Sequence, residues 1–372
     1  MESEKTDLII HPGATIRTAL EQMGRNGEKC LVVVDNNESV KGTISDGDIR
    51  RAILDGAALA DPIDGVLNSS PAVASGGIPK LNRLKEIFTR DRYSILPVID
   101  VRGALTDILV WADAFGEAKP RASILLDIPA VIMAGGKGTR LAPFTKILPK
   151  PLIPINEKPV IEHIVDRLNM AGIDRFFVTV GYKSRILKAF FEELSPDYQV
   201  EFFEESKALG TIGGLRLIQN KIDSPVLVTN CDVIANIDYA DFFDFHVTRN
   251  NALTVMASAK NYVLPYGVCE LDKNGDLEKI KEKPELNVLV NIGVYILNPE
   301  IIELIPSNAR YDVTDLIDQV QSTQMKVGVY PVADGNWFDV GQWKDYNSTV
   351  EVFQRIEDAQ LELDANIDNG KP

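Results

Sequence analysis

The sequence predicts an α/β fold built on a mixed, mostly parallel sheet, with a smaller α+β module ahead of it. Three observations predict this. From about residue 128 onward, short apolar runs alternate with helical patterns, as βαβ units require. Polar, glycine-bearing motifs fall directly after those runs, where a parallel sheet binds its ligands, outside the carboxyl ends of its strands. Before about residue 122 one pattern occurs twice. Such a repeat marks a paired supersecondary unit in which each half covers the apolar face of the other.

In the first half, residues 14–23 have helical spacing and 30–34 form an apolar strand. Asp35-Asn36-Asn37-Glu38-Ser39 is a turn cluster, 40–44 a second strand and 48–54 a further helix. The second half repeats the order: a helix at 81–88, a strand at 94–99, a turn at Asp100-Val101-Arg102-Gly103, a strand at 104–108 and a short helix at 110–115. The polar stretch 117–123, with its one proline, leads out of the module. The expected boundaries are 1–122 for the repeat, 123–128 for a linker, 129–356 for the α/β domain and 357–372 for an acid-rich tail.

In the α/β domain the expected elements run strand 131–134, helix 160–170, strand 175–180, helix 184–194, strand 200–204, helix 213–219 and strand 226–229. The composition is that of a globular protein, 45% hydrophobic and 25% charged, with no apolar run long enough to span a bilayer. Cys30, Cys231 and Cys269 lie far apart without metal spacing, which fits a reducing compartment, and the polar start does not resemble a signal peptide; a cytoplasmic location is expected. A formal charge of −15 argues against nucleic acid or an anionic membrane as partner. His11, His163 and His246 are scattered, and no Ser-His-Asp or Cys-His arrangement can be argued.

The chemistry gathers after the apolar run that ends at Ala134. Gly135, Gly136, Lys137, Gly138, Thr139 and Arg140 follow at once, and the stretch runs on through Lys146 to Pro149-Lys150-Pro151-Leu152. Glycines let backbone N–H groups approach a bulky anion, and the nearby cations complete a phosphate cradle. It is not a Walker A loop, because no Gly-Lys-Ser/Thr occurs here, nor a dinucleotide fingerprint, because Thr-Arg-Leu stands where a third glycine would be. Gly-x-Gly-Thr-Arg-Leu followed by Pro-Lys-Pro-Leu resembles the signature of the sugar-phosphate nucleotidyltransferases. The resemblance implies a Rossmann-like, GT-A-like nucleotidyltransferase domain.

Further residues match that family's motifs. Leu209-Gly210-Thr211-Ile212-Gly213 is similar to the segment that lies along the nucleoside base, and Thr211 offers a helix N-cap hydroxyl. Glu205 stands where uridylyl and thymidylyl members often carry Gln. A carboxylate only accepts hydrogen bonds, and guanine offers two adjacent donors, so Glu205 points to GTP rather than ATP. Asp232 ends Leu227-Val228-Thr229-Asn230-Cys231, and Asp339 lies in Trp337-Phe338-Asp339-Val340-Gly341; they resemble the family's two ligands for Mg²⁺, an ion that takes carboxylates plus phosphate oxygens. On the sugar side the resemblance assigns Gly267, Glu282, Lys283 and Asn291, with Glu282 directed to sugar hydroxyls and Lys283 to the sugar phosphate. The segment Arg310-Tyr311-Asp312-Val313-Thr314-Asp315 reads as structural.

The repeat resembles a tandem CBS pair. The residues that carry this are Gly42 to Arg50, in which Ser45 and Asp48 would meet the phosphate and ribose of an adenine nucleotide. The second half has Leu109 where that Asp would sit, so at most one cleft is equipped for a nucleoside; the alternative is a ligand-free dimerisation or docking module. Such pairs often associate, so a homo-oligomer is expected.

Taken together, the resemblance implies condensation of a sugar 1-phosphate with GTP, with Arg140 and Lys150 on phosphates and Mg²⁺ as cofactor. A CBS pair ahead of such a domain resembles glucosamine-1-phosphate guanylyltransferases that supply surface-glycan (legionaminic-type nonulosonate) precursors, with mannose-1-phosphate and heptose-1-phosphate enzymes as alternatives. A non-catalytic regulatory subunit would be expected to have lost Arg140, Lys150, Asp232 or Asp339, and all four are present.

Overall fold

The computed structural model describes residues 5–26, 28–90, 93–110 and 125–354. Most of the helix expected at 110–115, the start of the linker at 123–128 and the whole tail at 357–372 lie outside these residues. The chain forms two compact units. One comprises Met1–Ala122, Ser258–Val290 and Pro331–Gly335; the other comprises Ser123–Ala257, Asn291–Tyr330 and Asn336–Pro372. Segments 258–290 and 331–335, read from sequence as part of the α/β domain, thus group with the N-terminal repeat. Their packing explains it, because Ala333 belongs to the core of the first half and Ala259 packs against that core.

In the first unit the repeat is written in the backbone. Ile9–Ile10 pairs parallel with Cys30–Val34, which pairs antiparallel with Val40–Ser45. Ala74–Ser75, Ile95–Ile99 and Leu105–Val110 repeat this arrangement. Even the register irregularity recurs, between Val33 and Val34 in one half and between Val98 and Ile99 in the other. Each half has its own core, one around Ile16, Leu31, Ile44 and Ile63, the other around Leu84, Phe88 and Leu96. A third cluster, Leu8, Val32, Val34, Ile95 and Ile108, takes residues from both. The two hairpins also exchange backbone hydrogen bonds, Val40 N to Gly103 O at 3.2 Å and Leu105 N to Glu38 O at 2.8 Å.

The seven-stranded sheet runs, in spatial order, Gln199–Glu204, Arg175–Val180, Ala130–Ala134, Val226–Asn230, Glu285–Leu297, Leu253–Val263 and Val327–Ala333. The first four are mutually parallel, and Glu285–Leu297 runs antiparallel to Val226–Asn230. The helices Val160–Met170 and Ser184–Leu194 are the crossovers that the parallel strands demand. Their apolar faces bury Ile161, Ile164, Leu168, Leu187 and Phe191. A core of Val131, Phe177, Leu215, Val228, Leu297 and Leu316 lies in this unit. The stretch expected as a helix at 213–219 is instead a 3-10 turn series, Gly213–Lys221. It opens on two glycines, which disfavour the α-helix, and no side chain caps its start. Among the described residues no helix is long and apolar enough to cross a membrane.

Candidate active site

The strand register sets the site. Val180 lies opposite both Ala134 and Glu204, and Asn230 lies opposite Met133. The carboxyl ends of four parallel strands are therefore level, and Gly135, Glu205 and Cys231 leave the sheet at one edge. A cavity of about 280 Å³ opens there, lined by Gly135, Gly136, Gly138, Thr139, Arg140, Lys150, Glu205, Gly210, Thr211 and Asp232, with Met133, Asn230, Cys231 and Gly341 completing the wall. Most of the residues expected to meet a nucleotide thus share one space. Ala134 is buried at its strand end, and Lys137 is exposed without lining the cavity.

Asp232 and Asp339 come from segments far apart in sequence but adjacent in space. Val233–Ala235 pairs antiparallel with Trp337–Asp339, and Val340 N donates to Asp232 O at 2.9 Å. A Cβ at Gly341 would lie 2.8 Å from Asp232 Oδ2, 2.8 Å from Asp339 Oδ1 and 3.5 Å from Lys150 Nζ, so three charged groups converge on one point. Lys150 Nζ donates to Asp232 Oδ2, and Gly341 N donates to Asp339 Oδ1 at 2.6 Å. Burial, with the Asp232 charge beside it, raises the Asp339 carboxyl above its ordinary range, against the pull of the Gly341 amide and Lys150. Among the described residues no cluster of three or more His, Cys, Asp or Glu is placed to hold a metal. Two converging carboxylates fit a divalent cation that completes its shell with water and phosphate oxygens.

Glu205 is half-buried in the cavity wall. Its Oε2 accepts from Leu209 N at 3.2 Å, and its carboxyl packs so closely on Gly135 that a Cβ there would overlap it. Burial raises its pKa, offset in part by the Leu209 amide and the Thr179 hydroxyl. Thr211 departs from its expected role. The residue before the 3-10 series is Ile212, and the Thr211 hydroxyl instead accepts from Val313 N at 2.9 Å, serving a helix about a hundred residues away. A local N-cap was the nearest partner visible in sequence; tertiary packing supplied another.

The sugar-side candidates divide. Gly267, Glu282 and Lys283 belong to the first unit, where a Cβ at Gly267 would lie 2.9 Å from Glu282 Oε2 and Lys283 N donates to Tyr266 O at 3.2 Å. Asn291 belongs to the second, donating to the Tyr295 hydroxyl at 2.9 Å and accepting from Gly293 N at 2.9 Å. Ser45 and Asp48 form a capping box on the helix Asp46–Leu54: Ser45 N and Oγ donate to Asp48 Oδ2 at 2.9 and 2.6 Å, and Arg51 pairs with Asp48 Oδ1. Sequence reasoning missed Asn230, Gly341 and Lys183. The last donates to the Lys146 and Ile147 carbonyls, both at 2.6 Å, and clasps the segment between Arg140 and Lys150.

Comparison with known proteins adds to this geometry. The profile of the family described as Nucleotidyl transferase matches residues 129–356, and that of the CBS domain matches residues 5–55. Mannose-1-phosphate guanylyltransferase 1 of Arabidopsis thaliana is 30% identical over 234 residues, 60% of this chain and 64% of that one. Mannose-1-phosphate guanyltransferase of Candida albicans is 34% identical over 231 residues, 59% of this chain and 62% of that one. The chain therefore spans less than two thirds of the length of these curated relatives. A crystal structure of HddC from Yersinia pseudotuberculosis superimposes with a TM-score of 0.49 at 25% identity, over 61% of this chain and 99% of that one.

Proposed function

We propose that this chain, which belongs to the nucleotidyl transferase family, joins GTP to a sugar 1-phosphate and releases pyrophosphate. The observation that carries the reading is the single strand-end cavity in which a glycine loop, Arg140, Lys150, Asp232 and Glu205 meet. Glu205 supports guanine as the base, since an ionised carboxyl accepts from two donors on one edge. The guanylyltransferase names of the relatives support the same base. Among sugars we place glucosamine 1-phosphate first, on the resemblance of the CBS-linked arrangement, and mannose 1-phosphate second, on the relatives' names.

In this reading an oxygen of the sugar phosphate attacks the α-phosphorus, the bond to the β-phosphate oxygen breaks, and pyrophosphate leaves. The phosphate monoester is already anionic at neutral pH, so no general base is required. The chain's task is positioning and charge neutralisation. The amides of residues 135–139 and the Arg140 guanidinium hold the β- and γ-phosphates. Lys150 lies beside Asp232, where its ammonium reaches the α-phosphate or the attacking oxygen. Asp232 and Asp339 would hold Mg²⁺, which supplies charge neutralisation at the triphosphate. By the family resemblance Glu282 and Lys283 are the candidates for the sugar hydroxyls and phosphate, and Ser45 and Asp48 are the candidate contacts for an adenine nucleotide in the N-terminal module.

The test is pyrophosphate release with Mg²⁺, each of four nucleoside triphosphates, and a panel of sugar 1-phosphates that includes glucosamine, mannose and heptose. The expected result is turnover with GTP, fastest with glucosamine 1-phosphate. No release with any pair sinks the enzymatic reading, and turnover confined to UTP or dTTP sinks the base assignment.

A further inference from the structure

We propose that Asp312 is a positioning residue for the nucleotide-facing wall of the cavity, holding residues 209–213 in place through a reciprocal pair of hydrogen bonds with Thr211. The bonds are long-range. Thr211 N donates to Asp312 Oδ1 at 2.9 Å, and Val313 N donates to Thr211 Oγ1 at 2.9 Å. Backbone bonds flank them: Tyr311 N to Leu209 O at 2.8 Å, and Ile212 N and Gly213 N to Tyr311 O at 3.2 and 3.1 Å. Gly210 makes the approach feasible. Its φ is +85°, and a Cβ there would lie 2.5 Å from Tyr311 O and 2.8 Å from Asp312 Oδ1.

Asp312 is itself anchored. Its N–H donates to Asp315 Oδ2 at 3.0 Å, closing a capping box on the helix Val313–Ser322, which buries Val313, Leu316 and Val320 in the core of this unit. The loop is thereby tied to a packed helix. A second carboxylate holds its other end, since Glu205 takes the Leu209 amide.

The arrangement has a chemical consequence for the cavity that Thr211 lines. With Val313 N on one lone pair of Oγ1 and Asp312 taking the amide, the Thr211 hydroxyl keeps its hydrogen and one further lone pair. The wall then presents a hydroxyl whose oxygen is held in place, able to donate to or accept from a polar group on the bound nucleotide. This functional sense rests on the nucleotidyl-transfer reading, whereas the fastening of the loop does not.

Both parts are testable on the full chain with Asp312→Ala and Asp312→Asn. The Asn variant keeps an oxygen that accepts from Thr211 N. Asp312→Ala is expected to raise the KM for GTP about tenfold and leave the KM for the sugar 1-phosphate within about twofold, while Asp312→Asn stays within about threefold of the parent on both. Amide hydrogen exchange at 209–213 should quicken in Asp312→Ala and not in Asp312→Asn. Equal changes in both KM values, or an Asn variant as impaired as the Ala variant, overturns the positioning role. Unchanged exchange at 209–213 in Asp312→Ala overturns the fastening itself. If the parent chain shows no turnover, the enzymatic reading fails, and the exchange data still decide the fastening.

Discussion

The loop at 135–140 and the loop at 205–213 line the same cavity and are built in opposite ways. The first is closed by backbone turns, Leu141 N to Gly138 O at 3.0 Å and Ala142 N to Thr139 O at 3.3 Å, and carries Lys137 and Arg140 in exposed positions. The second is fastened at both ends by carboxylates, Glu205 on Leu209 N and Asp312 on Thr211 N. Under the proposed function the difference follows from what each must do. A loop that receives a polyanion gains its ordering contacts from the ligand, and cations held in water cost little until then. A loop that distinguishes one base from another must hold its donors and acceptors fixed beforehand, because specificity is a difference between affinities.

The comparison is broken most sharply at the charged end. Arg140→Ala and Asp232→Asn are each expected to lose at least about 100-fold in kcat/KM. Arg140 is exposed, so the melting temperature of Arg140→Ala should match the parent's; near-parental turnover in either variant would refute the catalytic assignment. Next comes the point where the loops touch. Gly135→Ala drives a methyl into the Glu205 carboxyl and should cost about 1–3 kcal/mol in denaturant titration. Gly136→Ala meets open space within the fold and should cost less than about 0.5 kcal/mol. Equal costs would mean that the loops do not bear on each other. The smallest effect concerns pH. Burial raises Glu205 above its ordinary 4.5, so protonation, and with it the loss of acceptor capacity, sets in at a higher pH than for an exposed glutamate. The KM for GTP should therefore climb a few-fold as pH falls towards that range, while Glu205→Gln should show a flat profile; parallel profiles would separate Glu205 from base recognition.

Much of this was legible in the sequence wherever the signal is local. The helices at Val160–Met170 and Ser184–Leu194 and the strand Arg175–Val180 start and stop where their periodicity does. The glycine loop and Asp232 announce themselves by following apolar runs. What was not legible depends on partners far along the chain. Asp312 and Asp315 have the spacing of a capping box, which marks a helix start and is silent about Thr211. The hydroxyl of Thr211 was read against its nearest helix, and its partner lies elsewhere. Segments 258–290 and 331–335 carry strand patterns continuous with the sheet, and only packing, such as Ala333 in the first half's core, assigns them to the other unit.

The shared cluster of Leu8, Val32, Val34, Ile95 and Ile108 has a consequence for ancestry. Either half expressed alone would leave an oily face uncovered, and another molecule of itself would be the surface best shaped to hide it. A gene doubling that fused two such molecules would have turned a twofold between chains into a twofold within one. The matched registers carry the trace of it, for Leu109 answers to Ile44 and Val110 to Ser45, which corrects the sequence expectation that Leu109 takes the place of Asp48.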